Sequence, residues 1–179
     1  MAKKVTNLKT HNFHKSIIHG KEGERVIKDW FCSFNNVERY EDVSDNPKFQ
    51  KVDIDGIVWL KNGESRTVEI KTDSYTSGNL FYETQSCVEK NTIGCMERTK
   101  AQYLYYYFTG YKCMYAFDVE AFRKWALQEH INYPNILKDK LLRNESNNIN
   151  GYYHSAGFII PLTYLESHFP KRYWLKFNM

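Results

Sequence analysis

Two aspartates, Asp53 and Asp55, interrupt the apolar run FQKVDIDGIVWL at residues 49–60. Glu69 and Lys71 flank Ile70 in RTVEIK at residues 66–71. Carboxylates are hard oxygen donors, and Mg2+ is held through one or two of them plus water. Such a site can generate hydroxide and clamp a phosphoryl group for in-line displacement. An ammonium beside it can orient the attacking water and stabilise charge in the transition state. Phosphodiester hydrolysis is the chemistry that suits this set of residue types. The alternative is an exposed hairpin carrying salt bridges across its strands. Charges in a strand this apolar are costly unless they bind something, which favours the site.

The pattern places these residues on two strands. Side chains in a strand alternate faces, so Asp53 and Asp55 are expected to point one way and Val52 and Ile54 the other. Glu69 and Lys71 share one face of the returning strand, with Val68 and Ile70 on the opposite one. Asn62-Gly63 in KNGES predicts a tight hairpin that brings the charged faces together.

Upstream, GKEGERVIKDWFCSF spaces Val26, Ile27, Trp30, Phe31 and Phe34 as one face of a helix of about 14 residues. Glu24 lies in its first turn, where the helix dipole favours a carboxylate. NVERYEDV reads as a strand, SDNP as a turn, GNLFYETQS as a further strand and CVEKNTIGC as a loop. MERTKAQYLYYYFTG predicts a helix ending at Gly110. YKCMYAF is a strand, followed by the helix VEAFRKWALQEH with Asp118 as its cap. Residues 131–151 are polar and Asn-rich and predict an exposed excursion. AGFII is a short strand, PLTYLESHF a helix with Pro161 in its first turn, and KRYWLKF a last strand. Residues 1–20 predict a flexible basic arm, and residues 21–179 a single domain. The order predicts an α/β sandwich, a mixed central β-sheet flanked by α-helices.

A length of 179 residues suits one domain. The net charge of +4 permits a polyanionic partner without demanding one. The cysteines at 32, 87, 95 and 113 form no CxxC pair, so a zinc ribbon is not expected and reduced thiols are. His11, His14 and His19 have spacings that fit no closed metal site. MAKKVTNLKTHNFHKSI lacks the apolar centre of a signal peptide, and no window approaches the ~18 apolar residues of a membrane span. A cytoplasmic protein with no membrane partner is expected. There is no Gly-rich phosphate loop for an ATP-driven motor. HSAG at His154 is not a nucleophile elbow.

Asp55-Gly-Ile-Val followed by Val68-Glu69-Ile70-Lys71 resembles the core of the PD-(D/E)XK nuclease superfamily. That superfamily includes restriction endonucleases, Holliday-junction resolvases, λ-type exonucleases and the nuclease domains of recombination enzymes. The resemblance spans roughly residues 20–125 and implies a restriction-endonuclease-like core in the order αβββαβ. It implies Asp55 and Glu69 as metal ligands and Lys71 as the catalytic lysine. Glu24 resembles the first-helix glutamate that many members add to the metal site. Gln102 and Tyr106 resemble a Q-xxx-Y helix element that helps hold the site or the DNA. No proline precedes Asp55, and Asp53 is a rival ligand.

SGNLFYETQS followed by RTKAQYLYYYF is similar to small phage and restriction-like members, which carry a GN-x-x-x-E strand. If that strand lies beside the site, Glu83 could touch substrate or the ligands; the alternative is a surface acid on an edge strand. Lys90, Arg98 and Lys100 surround the expected cleft in sequence and could contact phosphates. Of Tyr103, Tyr105, Tyr106 and Tyr107, some must serve the core, and one or two could stack on a base.

The resemblance therefore implies a Mg2+-dependent nuclease, with Mn2+ able to substitute, acting on DNA. RNA and a homodimer stay open. The alternatives are an inactive nucleic-acid-binding protein and a phage-type interaction or inhibitor protein on the same fold.

Overall fold

The computed structural model describes residues 10–11, 13–145 and 151–179. A two-residue strand, β1 (Thr10–His11), precedes helix α1 (Phe13–Cys32). Strand β2 (Val37–Asp42) leads through a one-turn helix, α2 (Pro47–Gln50), into β3 (Gly56–Leu60) and β4 (Ser65–Asp73). Then come β5 (Asn79–Cys87), β6 (Thr92–Ile93) and the short helix α3 (Cys95–Arg98). Strands β7 (Tyr103–Phe108) and β8 (Cys113–Asp118) are followed by α4 (Val119–Asn132) and β9 (Asp139–Glu145). The chain closes with β10 (Tyr152–Pro161), α5 (Leu162–His168), a 3-10 turn and β11 (Trp174–Asn178).

Among the described residues these strands make two sheets. One runs β11-β8-β7-β4-β3-β2, with β4 and β7 parallel and its other pairs antiparallel. The other runs β1-β9-β10-β5-β6. The molecule is a mixed α/β protein with a mixed central sheet and flanking helices.

The six-stranded sheet is apolar on both faces. In α1, Ile27 is fully buried and Phe31 nearly so. Both pack on Val58, Val68, Ile70, Tyr107 and Met114. Burying a side chain such as Ile27 contributes roughly 2–3 kcal/mol. The opposite face presents Leu104, Phe108, Tyr115 and Phe117. They share one cluster with Leu80, Tyr82, Phe158 and Ile160 of the five-stranded sheet and Phe122 and Ala126 of α4. Asp118 caps α4 as expected, accepting the Ala121 N–H at 2.8 Å.

Several expectations change. Helix α1 starts at Phe13, well inside the segment read as an arm. Its added turns carry the exposed Ile17 and Ile18, so no buried stripe marks them in the sequence. Residues 1–9 and 12 of that arm lie outside the described residues.

The run FQKVDIDGIVWL becomes a strand only from Gly56. Pro47 sits in the first turn of α2 behind Asn46, whose side chain accepts the Lys48 N–H, and this cap chemistry overrides the alternation. The expected long helix MERTKAQYLYYYFTG stops after one turn at Arg98, and its aromatic half is β7. A central strand buried on both faces reads as a continuous apolar run, which spacing alone does not separate from a helix.

The stretch 131–151 is not a simple excursion. It contains β9, which pairs with β10 from Asp139 to Glu145, while residues 146–150 lie outside the described residues. The loop CVEKNTIGC includes β6. The order α1-β2-β3-β4 matches expectation. The crossover to the parallel β7 does not, because it passes through β5, β6 and α3 rather than one long helix.

Candidate active site at a fork between two strands

Strands β3 and β4 pair from Trp59 opposite Ser65 to Gly56 opposite Val68. The Asp55 N–H adds one more backbone bond to Val68 O, at 2.9 Å. There the partnership ends. Asp53 takes φ 45°, the left-handed region in which aspartate is tolerated, and the chain before Asp55 turns away. Strand β4 continues to Asp73, held by β7 on its other side. The Ile70 N–H would be orphaned at this open edge, and Asp55 Oδ2 accepts it at 2.7 Å. The carboxylate thus stands in for the missing strand, and the same bond fixes it at the mouth of the fork.

Glu69 and Lys71 lie next along β4. Glu69 is opposite Leu104 and Lys71 opposite Tyr106, so both face the space between the sheets. Glu69 is 2% exposed. Its Oε1 meets Lys71 Nζ at 2.9 Å. Its Oε2 is buried without a hydrogen-bond partner among the described residues. Burial pushes the Glu69 carboxyl up to about 8, Lys71 pulls it back in part, and Asp55 adds to the rise. Burial also raises Asp55, against the pull of the Ile70 N–H, Lys71 and the Glu69 carboxyl. Without a cation, the Asp55–Glu69 pair lowers its energy by holding a proton.

Glu24 reaches the same edge from α1. Gly23 allows this: a Cβ there would lie 2.0 Å from Thr72 Oγ1, so only glycine lets the helix sit this close to β4. Burial pushes Glu24 up to about 7, reinforced by the Asp55 and Asp42 carboxylates. Tyr40 on β2 also belongs here and was not anticipated. Its ring lies over Gly56, where a Cβ would meet the hydroxyl at 2.0 Å. Burial, then Asp55, Asp42, Glu24 and Glu69, all disfavour its phenolate, which leaves a neutral O–H donor beside the fork. The one sequence signal for Tyr40 was its place on a strand. Asp42 is engaged locally, accepting the Ser44 N–H at 3.1 Å.

The other expected residues fall elsewhere. Asp53 and Asp55 do not share a strand face. Asp53 is gripped by Arg98, Nε to Oδ2 at 2.6 Å and Nη2 to Oδ1 at 2.7 Å, a bidentate pair. Thr99 Oγ1 donates to Asp53 O at 2.6 Å, and the Lys100 N–H to Val52 O at 2.8 Å. Arg98 and Asp53 therefore staple the turn that opens the fork, and the exposed Lys100 side chain has no part in it.

Arg98→Ala is expected to cost about 1.5–3 kcal/mol, as lost hydrogen bonds to a charged group do. Chemical denaturation of the variant beside the parent checks this. An unchanged midpoint would mean that the staple is idle.

Tyr106 is on β7 and Gln102 lies in the bend just before it, so neither is on a helix. Gln102 Oε1 accepts the Thr67 N–H at 3.1 Å, at the end of β4 away from Lys71. The buried Tyr106 hydroxyl donates to Asp73 Oδ2 at 3.2 Å and accepts the Phe81 N–H at 3.4 Å, joining the two sheets. Glu83 sits on the second sheet rather than on a strand adjoining β4. It accepts the Cys95 N–H at 3.2 Å and lines a cleft with Lys71.

Among the described residues, no three His, Cys, Asp or Glu side chains form a ready-made cage for a metal ion. Mg2+ does not need one, since one or two carboxylates plus water suffice. Asp55 and Glu69 supply that donor set, and the orphaned Glu69 Oε2 is a buried lone pair that a cation would satisfy. The residues fit a hard divalent ion.

No family model matches the chain, and no curated protein or solved structure matches it. Among the described residues no helix is long and apolar enough to cross a membrane.

Proposed function

We propose that this chain is a divalent-metal-dependent nuclease that hydrolyses phosphodiester bonds of DNA, on a restriction-endonuclease-like core. The observation that carries the reading is the fork. It sets Asp55, the buried Glu69 with one unsatisfied oxygen, and Lys71 side by side at an open strand edge. Asp55 also serves β4 by accepting the Ile70 N–H, but a buried acid and base beside it on a central strand are costly without a partner to bind.

In this reading Asp55 and Glu69 hold the ion, and Glu24 takes the place of third carboxylate that Asp53 gives up to Arg98. A bound Mg2+ or Mn2+ would supply Lewis acidity toward a phosphoryl oxygen and a hydroxide at neutral pH. Lys71 Nζ orients the attacking water and balances charge on the phosphoryl oxygens. A cation held by Glu69 would compete for the carboxylate that now pairs with Lys71, and the ammonium would be available for that role. Tyr40 would offer its neutral O–H at the rim.

The test is incubation of the pure protein with supercoiled plasmid, linear duplex, single strands and a four-way junction, in Mg2+, Mn2+ or EDTA. Metal-dependent cutting is expected, and the preferred substrate names the subclass. A second reading, an interaction or inhibitor protein on this fold, draws on the Lys71–Glu69 ion pair, which satisfies both charges without a metal. No cutting of any substrate, with no rise in melting temperature in Mn2+, would overturn the nuclease reading in its favour.

A further inference from the structure

Beyond Lys71 the space between the sheets opens into a cleft of about 520 Å3. One wall is β4 and the loop after it. The other is β9 and β10, with Lys140, Leu142 and Ile159. Strand β5 closes one side with Asn79, Phe81 and Glu83, which alternate with the buried Leu80 and Tyr82 and so share a face. The Tyr106 hydroxyl, bonded to both sheets, lies at the back. This volume falls in the range of sites that enclose a small ligand, roughly 300–1,000 Å3. A duplex cannot enter, because β9 and β10 stand over the face that carries Lys71.

The lining suits one nucleotide. Phe81 is half-buried and makes no ring-to-ring contact among the described residues, although rings pair throughout the adjoining core. A ring left with an open face in a cleft is a stacking platform for a base. Asn79 donates its Nδ2 to Ser77 O at 3.2 Å. Its amide oxygen takes no hydrogen bond among the described residues and can read a base edge. Lys71 marks the inner end and the exposed Lys140 the rim, two cations on one cleft that phosphates could meet.

We infer that this cleft receives one unpaired nucleotide of the strand being cut, stacked on Phe81, with Lys140 on a flanking phosphate. The inference rests on the nuclease reading for its orientation. It predicts a substrate with single-stranded character next to the scissile bond, whether a free end, a flap or an extruded nucleotide.

The experiment measures binding without catalysis. Fluorescence anisotropy in EDTA compares a labelled six-nucleotide single strand with a labelled blunt duplex. The single strand is expected to bind at least about tenfold more tightly, and Phe81→Ala to remove about that factor. Because Phe81 bears on the fold, Lys140→Ala at the exposed rim is run beside it. It is expected to reduce the slope of log K against log salt by about 0.7, as loss of one phosphate contact on a single strand does.

Equal or tighter duplex binding, or single-strand binding untouched by both substitutions, overturns the inference. Plasmid cutting in Mg2+ that persists in that case leaves the nuclease reading standing and discards only the cleft. Single-strand binding weakened by Phe81→Ala, with the reduced salt slope in Lys140→Ala but no cutting by the parent, upholds the cleft and discards the catalysis.

Discussion

Lys71→Ala and Glu69→Ala are each expected to lower metal-dependent cleavage by about 10³-fold, the scale on which a group acting directly on transition-state charge or on the metal counts. The two losses have different origins. Glu69 supplies the buried oxygen that completes the metal's donor set, so its loss also abolishes the rise in melting temperature with Mn2+. Lys71 acts on the water and the phosphoryl oxygens, so its loss leaves that rise in place.

Neither variant should unfold. The Lys71 side chain is 36% exposed, and among the described residues its ion pair is with Glu69. Without it, Glu69 simply keeps its proton to higher pH. Single-turnover cleavage on the preferred substrate, with circular dichroism melts alongside, checks the pair. Cleavage that survives either substitution would place the chemistry elsewhere.

The second large effect is on stability. In the metal-free protein Glu69 titrates at about 8 and Glu24 at about 7, against 4.5 ordinarily. Burial is the first cause for both. These are raised carboxyl values, so the folded chain holds protons that the unfolded chain releases above about pH 4.5. Stability is therefore highest at the acid end of this window, falls as pH rises from about 4.5 to 8, and levels off beyond. A shift of this size at a fully buried carboxyl corresponds to about 3–5 kcal/mol across the window.

Glu69→Gln removes the largest part of that linkage. In EDTA the variant is expected to melt close to the parent at pH 5 and well above it at pH 9. A divalent ion restores the parent at high pH, by about 2.7 kcal/mol when present at a hundred times its dissociation constant. It does little for the variant. Melting curves in EDTA and in Mn2+ across this pH range decide it. A parent whose stability is flat from pH 5 to 9 would sink the account of the fork as a proton-or-metal site. In the expected case, with Glu69→Gln more stable at pH 9 yet inactive, stability and activity pull in opposite directions at one residue, as they do where a buried charge is kept for its chemistry.

The site and the fold were legible to different depths. Glu69, Lys71 and their facing were readable because strand alternation is local and the Asn62-Gly63 turn joins β3 to β4 at short range. The apolar face of α1 was readable for the same reason, and it carried Glu24 with it. What escaped depended on partners far along the chain. Asp53 looked equivalent to Asp55 until Arg98, 45 residues on, claimed it. Tyr106 looked helical until Phe81 and Asp73, 25 and 33 residues away, set its hydroxyl between two sheets.

By itself, the sequence determined which residue types stand within reach of one another on a hairpin and a helix face, since those distances are set by backbone geometry. Only the tertiary structure decided that β7 is a strand, that β3 leaves β4 at Gly56 to open the fork, and that a second sheet stands over Lys71. Those outcomes turn on where buried aromatic surface finds its partner, and neither spacing nor propensity within a single segment encodes that.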